Sequence, residues 1–339
     1  MTENEKKGWW RWGVNRWVIL ALIIANVIFT GIYAPLRPHI ALPAEPVVES
    51  PVFNLPVIGE FYFTNTMTVL LIADVLLLLI GYGVYRSVKD GGLVPKGFSG
   101  ALEALLEALY NMTESTAGKW ARSIFPWFAT ITMLILLVNW AELIPGIDAI
   151  GWFNPHHVAH FEEICTETQI GPFVAVGAKI SGNEANECAQ AVIPWFRSTS
   201  TDLNFTLSLA IAAVIAVQVI GVRAQRMAYF TKFWNTKTFF NKPIFGLIDF
   251  IVGILELISE FSKVLSFTFR LFGNIFAGSV LLFVMGSLLS RVAFFQVGFL
   301  LLEFFVGLIQ AIVFGLLTMT FMAQATQGHG EHPDEEAYA

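Results

Sequence analysis

The chain has 339 residues, of which 55% are hydrophobic and 14% are charged, whereas roughly 25% of the residues in an average soluble protein are charged. A net charge of −6 provides no basic surface for nucleic acid, and two cysteines are too few for a disulfide scaffold. These values exclude a nucleic-acid-binding protein and are typical of a chain surrounded largely by lipid.

Six apolar runs follow one another along the chain. A helix needs ~20 mostly apolar residues to cross ~30 Å of hydrocarbon, so each run is a candidate membrane helix. The runs are 17–34, 63–85, 123–141, 203–222, 246–290 and 292–323. They predict an all-α membrane protein with about six membrane helices.

A seventh, amphipathic segment lies between the second and third runs, at residues 99–118. Four leucines occupy one face of the segment, and Glu103 and Glu107 lie opposite. This pattern predicts a helix at the membrane surface or packed on the helix bundle. The leucines are Leu102, Leu105, Leu106 and Leu109.

The basic residues predict the orientation of the chain. With the N-terminus in the cytoplasm, 14 basic residues lie inside and 4 lie outside, as the positive-inside rule requires. The predicted order is a cytoplasmic N-terminus, a first helix, a membrane domain with an inserted extracytoplasmic loop, and a polar cytoplasmic tail. Their bounds are 1–16, 17–34, 52–325 with the loop at 145–202, and 326–339.

The first helix has two interpretations. Its basic leader also fits a signal peptide, but no clean small-residue cleavage site follows it, which favours an uncleaved helix.

The predicted outer loop contains both cysteines, Cys165 and Cys188. In an oxidising compartment they can form a disulfide, and the alternative is two free thiols. The loop also has a cluster of histidines and glutamates, which we interpret as a solvated loop, and we predict no metal. The cluster consists of His156, His157, His160, Glu162 and Glu163.

The last two apolar runs are too long for upright membrane helices. Residues 246–290 would form a helix of ~67 Å, about twice the thickness of the hydrocarbon, and residues 292–323 one of ~48 Å. The helix at residues 246–290 must therefore be steeply tilted or broken. The two runs together predict an oblique hairpin in the membrane.

Six polar residues of the first long helix form a single stripe, because they lie within about 80° of one another at 100° per residue. They are Asp249, Glu256, Glu260, Lys263, Arg270 and Asn274. Such a stripe is usually a solvated face.

Arg270 does not fit a solvated face. The uncharged residues 271–290 follow it, so its side chain cannot easily extend to water in that direction. An intramembrane arginine is a functional-site hypothesis by default. The nearest acid of the stripe, Glu260, is ~15 Å away along the axis. Arg270 therefore needs an anion from elsewhere; a structural ion pair within this chain is the alternative.

The second long helix carries Gln296, Glu303 and Gln310 at heptad spacing, which places them on roughly one face. Apolar surroundings favour the neutral form of a carboxyl, so we predict that Glu303 exchanges protons near neutral pH. The alternative is a protonated, hydrogen-bonded carboxyl with a structural role.

The run Ser-Phe-Thr-Phe-Arg-Leu-Phe-Gly-Asn-Ile-Phe-Ala-Gly at 266–278 resembles the signature of subunit a of F-type ATP synthases. The segments around it agree with the family in order and spacing, and the resemblance covers roughly residues 52–325. These segments are 255–256, 262–263, 139–145, 201–208 and 308–311.

The resemblance implies a membrane subunit that is not an enzyme on its own and binds no cofactor. Its partners would be a ring of c subunits, each with a membrane-embedded carboxylate, the peripheral-stalk b subunits and the lipid bilayer of the cell inner membrane. Arg270 matches the arginine that faces the ring, and protons would reach the ring through two offset half-channels. The ion could instead be Na⁺.

The resemblance also assigns roles to other residues. Glu303 and Asn274 would belong to the extracytoplasmic half-channel, with Gln310 supporting Arg270, and Glu256 and Glu260 to the other half-channel.

Three polar residues near the outer surface, Asn139, Glu142 and Asp202, either line the access route, or cap helix ends or are solvated in a loop. Asp74 interrupts the second run, and we expect it to form a hydrogen bond to a neighbouring helix.

Two other classes of function compete with the resemblance. A secondary transporter would use Arg270 to bind an anionic substrate, but such folds usually contain internal repeats, which we do not find in the sequence. A structural membrane anchor would not need Arg270 or Glu303.

Overall fold

The computed structural model of the chain describes residues 12–32, 44–47, 51–56, 59–89, 98–144, 150–153, 161–170, 173–178, 188, 192–232, 243–288 and 294–327. These residues belong to two compact units. The larger unit comprises Leu42–Pro145, Phe196–Phe276 and Phe305–Ala339, and the smaller one comprises Met1–Ala41, Gly146–Trp195 and Ala277–Phe304.

Eight helices account for most of the described chain. They are α1 (Trp12–Ile32), α2 (Asn65–Lys89), α3 (Phe98–Ala117), α4 (Ala121–Ala141), α5 (Phe161–Ile164), α6 (Leu203–Gln225), α7 (Pro243–Leu288) and α8 (Phe294–Thr326). Short 3₁₀ helices lie at Gly118–Trp120, Thr199–Thr201 and Arg226–Lys232.

Five described stretches are long and apolar enough to cross a membrane. They are Asn65–Arg86, Ser99–Ala141, Leu203–Gln225, Phe250–Gly286 and Gln296–Thr326. This result confirms the predicted all-α membrane class. The first predicted membrane segment is also helical, as α1, although its apolar stretch Arg16–Ala25 is shorter than a span.

The long helix α7 is continuous over 46 residues. Of the two possibilities predicted for this segment, tilt and a break, the structure excludes the break. Because 46 residues extend ~69 Å, a steep tilt is the way in which such a helix can fit within the membrane.

The larger unit has an apolar core to which α4, α6, α7 and α8 all contribute. Phe267, Leu271 and Ile275 of α7 are at most 1% exposed and pack in this core. Phe267 meets Phe314 of α8 with ring centroids 4.8 Å apart. The core therefore fixes which face of α7 points into the unit and which points out.

The amphipathic segment forms α3, which packs against α4. Leu102 and Leu109 are buried and Leu106 is half-buried, whereas Glu103 and Glu107 are exposed, as the sequence pattern predicts. The pattern was wrong at Leu105, which is 40% exposed. Gly118, with φ +51°, separates the two helices. Of the two predicted locations for this helix, packing on the bundle is therefore observed.

Strands in the structure are short and paired antiparallel. In the larger unit, β1 (Phe53–Leu55) pairs with β2 (Gly59–Phe61). In the smaller unit, β3 (Gly151–Phe153) pairs with β6 (Val192–Pro194), and β4 (Cys165–Ile170) pairs with β5 (Phe173–Ala178). Cys165 and Cys188 form the disulfide that the sequence allowed.

Candidate functional site

Arg270 lies on α7 between two buried core residues, Phe267 and Leu271, and its own side chain is half-buried. Its Nη2 donates a hydrogen bond to Ser266 Oγ at 3.2 Å. Ser266 lies one turn earlier on the same helix, a spacing at which helical side chains meet. The sequence analysis did not identify Ser266 as a partner of Arg270, although its spacing of four residues was a usable signal.

Within the described part of the chain, the Arg270 guanidinium forms no ion pair with a carboxylate. The neighbouring Phe269 side chain is 57% exposed, so the surface beside Arg270 is apolar and uncovered. A permanent positive charge at such a surface can attract an anion carried by another molecule.

Asn274 and Gln310 connect α7 to α8. Asn274 Nδ2 donates to Gln310 Oε1 at 2.8 Å. Gln310 is 4% exposed, and its buried Nε2 has no hydrogen-bond partner among the described residues. The expected support of Arg270 by Gln310 is therefore not a direct hydrogen bond, since the amide of Gln310 bonds to Asn274.

Glu303 is buried on α8 within the smaller unit, with an exposed fraction of 6%. Its carboxylate contacts the Cα of Gly278 on α7 so closely that a Cβ there would overlap it. Its Oε1 has no hydrogen-bond partner among the described residues. The alternative interpretation of Glu303, a hydrogen-bonded carboxyl with a structural role, is therefore not supported at Oε1.

Two of the three heptad-spaced polar residues of α8, Gln296 and Glu303, lie against glycines of α7 in the smaller unit. Gln296 lies beside Gly286 as Glu303 lies beside Gly278, with Gln296 Nε2 2.7 Å from where a Gly286 Cβ would be. Glycine lets α7 come close to these long polar side chains, because it has no side chain of its own to occupy the space.

Glu260 and Lys263 of α7 form an ion pair at 2.9 Å, and Glu260 is 7% exposed. Lys263 Nζ also lies 4.7 Å from the centroid of the Phe321 ring on α8. The interpretation of the α7 stripe as a solvated face is therefore wrong at Glu260 and Lys263. Their spacing of three residues could have predicted the pair. Glu256, one turn earlier, is half-buried.

A second group of polar residues, which we name the α4 polar cluster, consists of Thr66, Asn139, Thr199, Ser200 and Asp202. Asn139 Nδ2 donates to the Gly307 carbonyl at 3.2 Å, and Asn139 Oδ1 accepts from Ser200 Oγ at 2.6 Å. Asn139 is 3% exposed and thereby joins α4, α8 and the segment before α6.

Asp202 is the N-cap of α6. Its Oδ1 accepts from the Asn204 backbone N–H at 2.9 Å and its Oδ2 accepts from Thr66 Oγ1 at 3.0 Å, while Thr199 Oγ1 donates to the Thr66 carbonyl. Of the two predicted roles for Asp202, access route and helix cap, the structure contains the cap. The sequence analysis missed the roles of Thr66 and Ser200 because their partners are distant along the chain.

Two further acids have different surroundings. Glu142 is the C-cap residue of α4 and is half-buried. Asp74, in the middle of α2, forms no hydrogen bond among the described residues, so the hydrogen bond expected for it is not present.

The described residues contain no group of three or more potential metal ligands. The predicted loop cluster at His156, His157 and His160 lies outside the described residues.

Comparison with known proteins gives a consistent result. The family model described as ATP synthase A chain matches residues 66–323. The chain is 29% identical over 274 residues to ATP synthase subunit a of Campylobacter jejuni, covering 79% of this chain and 92% of that protein. It is 27% identical over 280 residues to ATP synthase subunit a of Helicobacter pylori, covering 80% and 97%. It is 26% identical over 260 residues to that of Syntrophobacter fumaroxidans, covering 75% and 81%.

Proposed function

Because the chain belongs to the ATP synthase A chain family, we propose that it is the proton-translocating stator subunit of a rotary ATP synthase. Arg270 faces a rotating ring of c subunits, and polar residues of α7 and α8 serve two half-channels that reach the ring from opposite sides of the membrane. The chain is not an enzyme by itself; it couples ion flow to the catalysis of its complex.

The observation that carries this proposal is the state of Arg270. The guanidinium is half-buried on α7, bonded to Ser266, and in contact with no carboxylate of the described chain. Arginine keeps its proton in any protein environment, so the charge is available at every step of rotation. A ring carboxylate is the anion that would meet it.

The contact between Arg270 and a ring carboxylate must form and break at every step of rotation. A buried ion pair gains little net free energy once the desolvation of both charges is counted, so a passing carboxylate is attracted without being trapped. The fixed positive charge also prevents protons from moving directly from one half-channel to the other.

The half-channels use the buried polar groups of the two long helices. Glu303, with Oε1 unpartnered among the described residues, exchanges protons on the extracytoplasmic side. Asn274 is assigned to the same half-channel, and Gln310 supports Arg270 by holding Asn274, one turn from the arginine. Glu256 and Glu260 serve the cytoplasmic side. The ion pair with Lys263 fixes the position of the Glu260 carboxylate there.

The remaining assignments concern partners and location. The chain binds the c-ring and the peripheral-stalk b subunits in the cell inner membrane, with both termini in the cytoplasm and loop 145–202 outside. Helix α1 precedes the matched region 66–323 and is an additional membrane helix.

The test is the variant Arg270→Ala in membranes that contain the complete synthase. We expect ATP-driven acidification of inverted vesicles to fall to background while membrane insertion, followed by immunoblotting, is unchanged. Arg223→Ala is the matched control, because Arg223 is an exposed basic residue in the last turn of α6. Normal proton pumping in Arg270→Ala would contradict the proposal.

A further inference from the structure

The 3₁₀ helix Arg226–Lys232, which we name the α6 turn, begins directly after the membrane-spanning stretch Leu203–Gln225. Because that stretch is long enough to cross the hydrocarbon, the α6 turn lies at the level of the phospholipid headgroups. The proposed proton route through α7 and α8 uses none of its residues. Its role is therefore a separate question.

Tyr229 fixes the α6 turn against the end of α6. Its side chain is 2% exposed, and its ring fills the space beside Gly221, where a Cβ would overlap it. Its hydroxyl donates a hydrogen bond to Gln218 Oε1 at 2.7 Å. The side chains on the outer face of the turn therefore have a defined position.

Two large apolar side chains lie on that outer face. Met227 is 82% exposed and Phe230 is 53% exposed. At the boundary between headgroups and acyl chains such side chains enter the apolar layer, as in helices that lie on a membrane surface. Their exposure at the end of a membrane span favours contact with lipid.

Arg226 has a costly backbone conformation, with φ +54° and ψ −132°. Glycine adopts positive φ freely, whereas an arginine there costs free energy. The side chain is exposed and forms no ion pair or hydrogen bond in the described part of the chain, so no observed contact offsets this cost. The conformation points to a ligand of the guanidinium outside the chain.

Other exposed basic residues lie at the same end of the larger unit. Lys119 and Arg122 stand at the beginning of α4, and α4 packs in one apolar core with α6 through Ile124 and Ile220. This end of the unit is therefore attracted to an anionic membrane surface. A guanidinium recognises phosphate through parallel, charge-assisted hydrogen bonds.

From these observations we infer that the α6 turn binds an anionic phospholipid, with Arg226 on the phosphate and with Met227 and Phe230 against the adjoining acyl chains. An acidic protein segment fits less well, because it would leave the two apolar side chains without an apolar partner. Assigning the lipid to the cytoplasmic leaflet rests on the proposed function. The binding itself requires neither that orientation nor a rotor opposite Arg270.

The first experiment reconstitutes the complete synthase into vesicles that contain photoreactive phosphatidylglycerol or, at the same mole fraction, photoreactive phosphatidylcholine, each with a diazirine near the headgroup. Mass spectrometry of the digested chain locates the lipid adducts. We expect about fivefold more adduct on residues 226–230 from phosphatidylglycerol, the effect of one basic residue near an anionic surface. Arg226→Gly should reduce this adduct to the level of phosphatidylcholine.

Arg223→Ala is the matched control, because Arg223 is an exposed basic residue three positions earlier, within α6, and its loss should change the adduct less than twofold. Equal adducts from the two lipids, no adduct on residues 226–230, or a phosphatidylglycerol preference that survives Arg226→Gly would each overturn the inference. Vesicles expose phosphatidylglycerol in both leaflets, so these results do not depend on orientation or on proton pumping by Arg270→Ala.

The second experiment separates lipid binding from a role in the fold. In neutral detergent, Arg226→Gly relieves the backbone cost and should raise the Tm of the chain within the synthase by about 1–3 °C, whereas Arg226→Ala should not raise it. Added phosphatidylglycerol should raise the Tm of the unmodified protein more than that of either variant. A lower Tm in Arg226→Gly, or an equal lipid-induced rise in all three proteins, would show that Arg226 serves the fold and does not hold the lipid.

Discussion

The α4 polar cluster and the polar groups of α7 and α8 contain similar side chains, but the two regions differ in how many of their polar atoms have partners. In the cluster, Asn139 uses both its amide nitrogen and its amide oxygen, and both carboxylate oxygens of Asp202 accept hydrogen bonds. On α8, by contrast, Gln310 Nε2 and Glu303 Oε1 are buried without partners among the described residues.

A buried polar atom without a hydrogen bond costs roughly 1–3 kcal/mol, so a fold keeps such atoms only where something compensates. The α4 polar cluster contributes to stability because its hydrogen bonds join distant segments. The unpartnered atoms of α8 lower stability and are available to a proton or an ion. Thr132 on α4 and Ser198 beside the cluster also have buried oxygens without partners among the described residues, so a missing partner does not by itself mark an ion path. The comparison separates side chains whose hydrogen bonds hold the fold together from buried groups to which the proposed function assigns proton exchange.

The largest effect is expected at Glu303. Glu303→Gln keeps the shape and polarity of the side chain but removes the exchangeable carboxyl proton, so passive proton flow through the complex should fall by about a hundredfold. The measurement is the decay of a pH gradient in vesicles whose catalytic sector has been removed. A proton flow rate equal to that of the unmodified protein would show that Glu303 has a structural role, like the residues of the α4 polar cluster.

A neighbouring glycine provides a graded version of the same test. Gly278→Ala puts a methyl group where the Glu303 carboxylate lies, so the carboxylate must move and proton flow should fall less than in Glu303→Gln. Gly298→Ala on α8 is the matched control, since its added Cβ meets nothing within 4 Å. Equal flow in both variants would show that the position of the carboxylate is unimportant.

At Asn139 we expect a loss of stability and not of conduction. Asn139→Leu leaves the Ser200 hydroxyl and the Gly307 carbonyl without their partner, which should reduce the free energy of unfolding by about 2–4 kcal/mol. Thermal unfolding in detergent measures the change, with proton flow normalised to the folded fraction.

Ser208→Ala is the control for Asn139→Leu, because its exposed hydroxyl bonds only to its own helix, and its effect should stay within about 0.5 kcal/mol. If Asn139→Leu abolished normalised proton flow at unchanged stability, Asn139 would line the access route.

The smallest effect is expected at Asp202. Asp202→Ala removes both the N-cap of α6 and the acceptor of the Thr66 hydroxyl and should cost about 1–2 kcal/mol, whereas Asp202→Asn caps nearly as well, keeps a polar group beside Thr66 and should cost less than about 1 kcal/mol. Detergent unfolding curves for the two variants check this order. A drop in proton flow in Asp202→Asn comparable to that of Glu303→Gln would instead assign the carboxyl to the ion path.

The sequence predicted the helices well because a membrane helix needs a long apolar run, which is a local property of the chain. The excess length of α7 and α8, and the amphipathic character of α3, were likewise readable from consecutive residues. The hinge at Gly118 was not predicted, because a positive φ at a glycine depends on how α3 packs against α4.

Some residues of the candidate site were predicted from the sequence and others were not. Arg270 and Glu303 stood out because each is a charge within an apolar run, and that signal needs no knowledge of tertiary contacts. The roles of Asn139 and Asp202 could not be decided, because their partners Gly307 and Thr66 are more than 130 residues away along the chain. The Glu260–Lys263 pair was within reach of sequence reasoning, which weighed the stripe as a whole and not its i,i+3 neighbours.

The attachment of Arg270 has a mechanical consequence. Its one described hydrogen bond ends on its own helix, and two nearby residues of that helix, Phe267 three positions before it and Leu271 directly after it, are buried in the core. A sideways pull on the guanidinium is therefore transmitted to the α7 backbone and then, through the contact between Phe267 and Phe314, to α8. If the proposed rotor carboxylate pulls on Arg270, the aromatic packing behind the charge would resist that pull, and a smaller side chain at 267 would weaken the resistance without removing the charge.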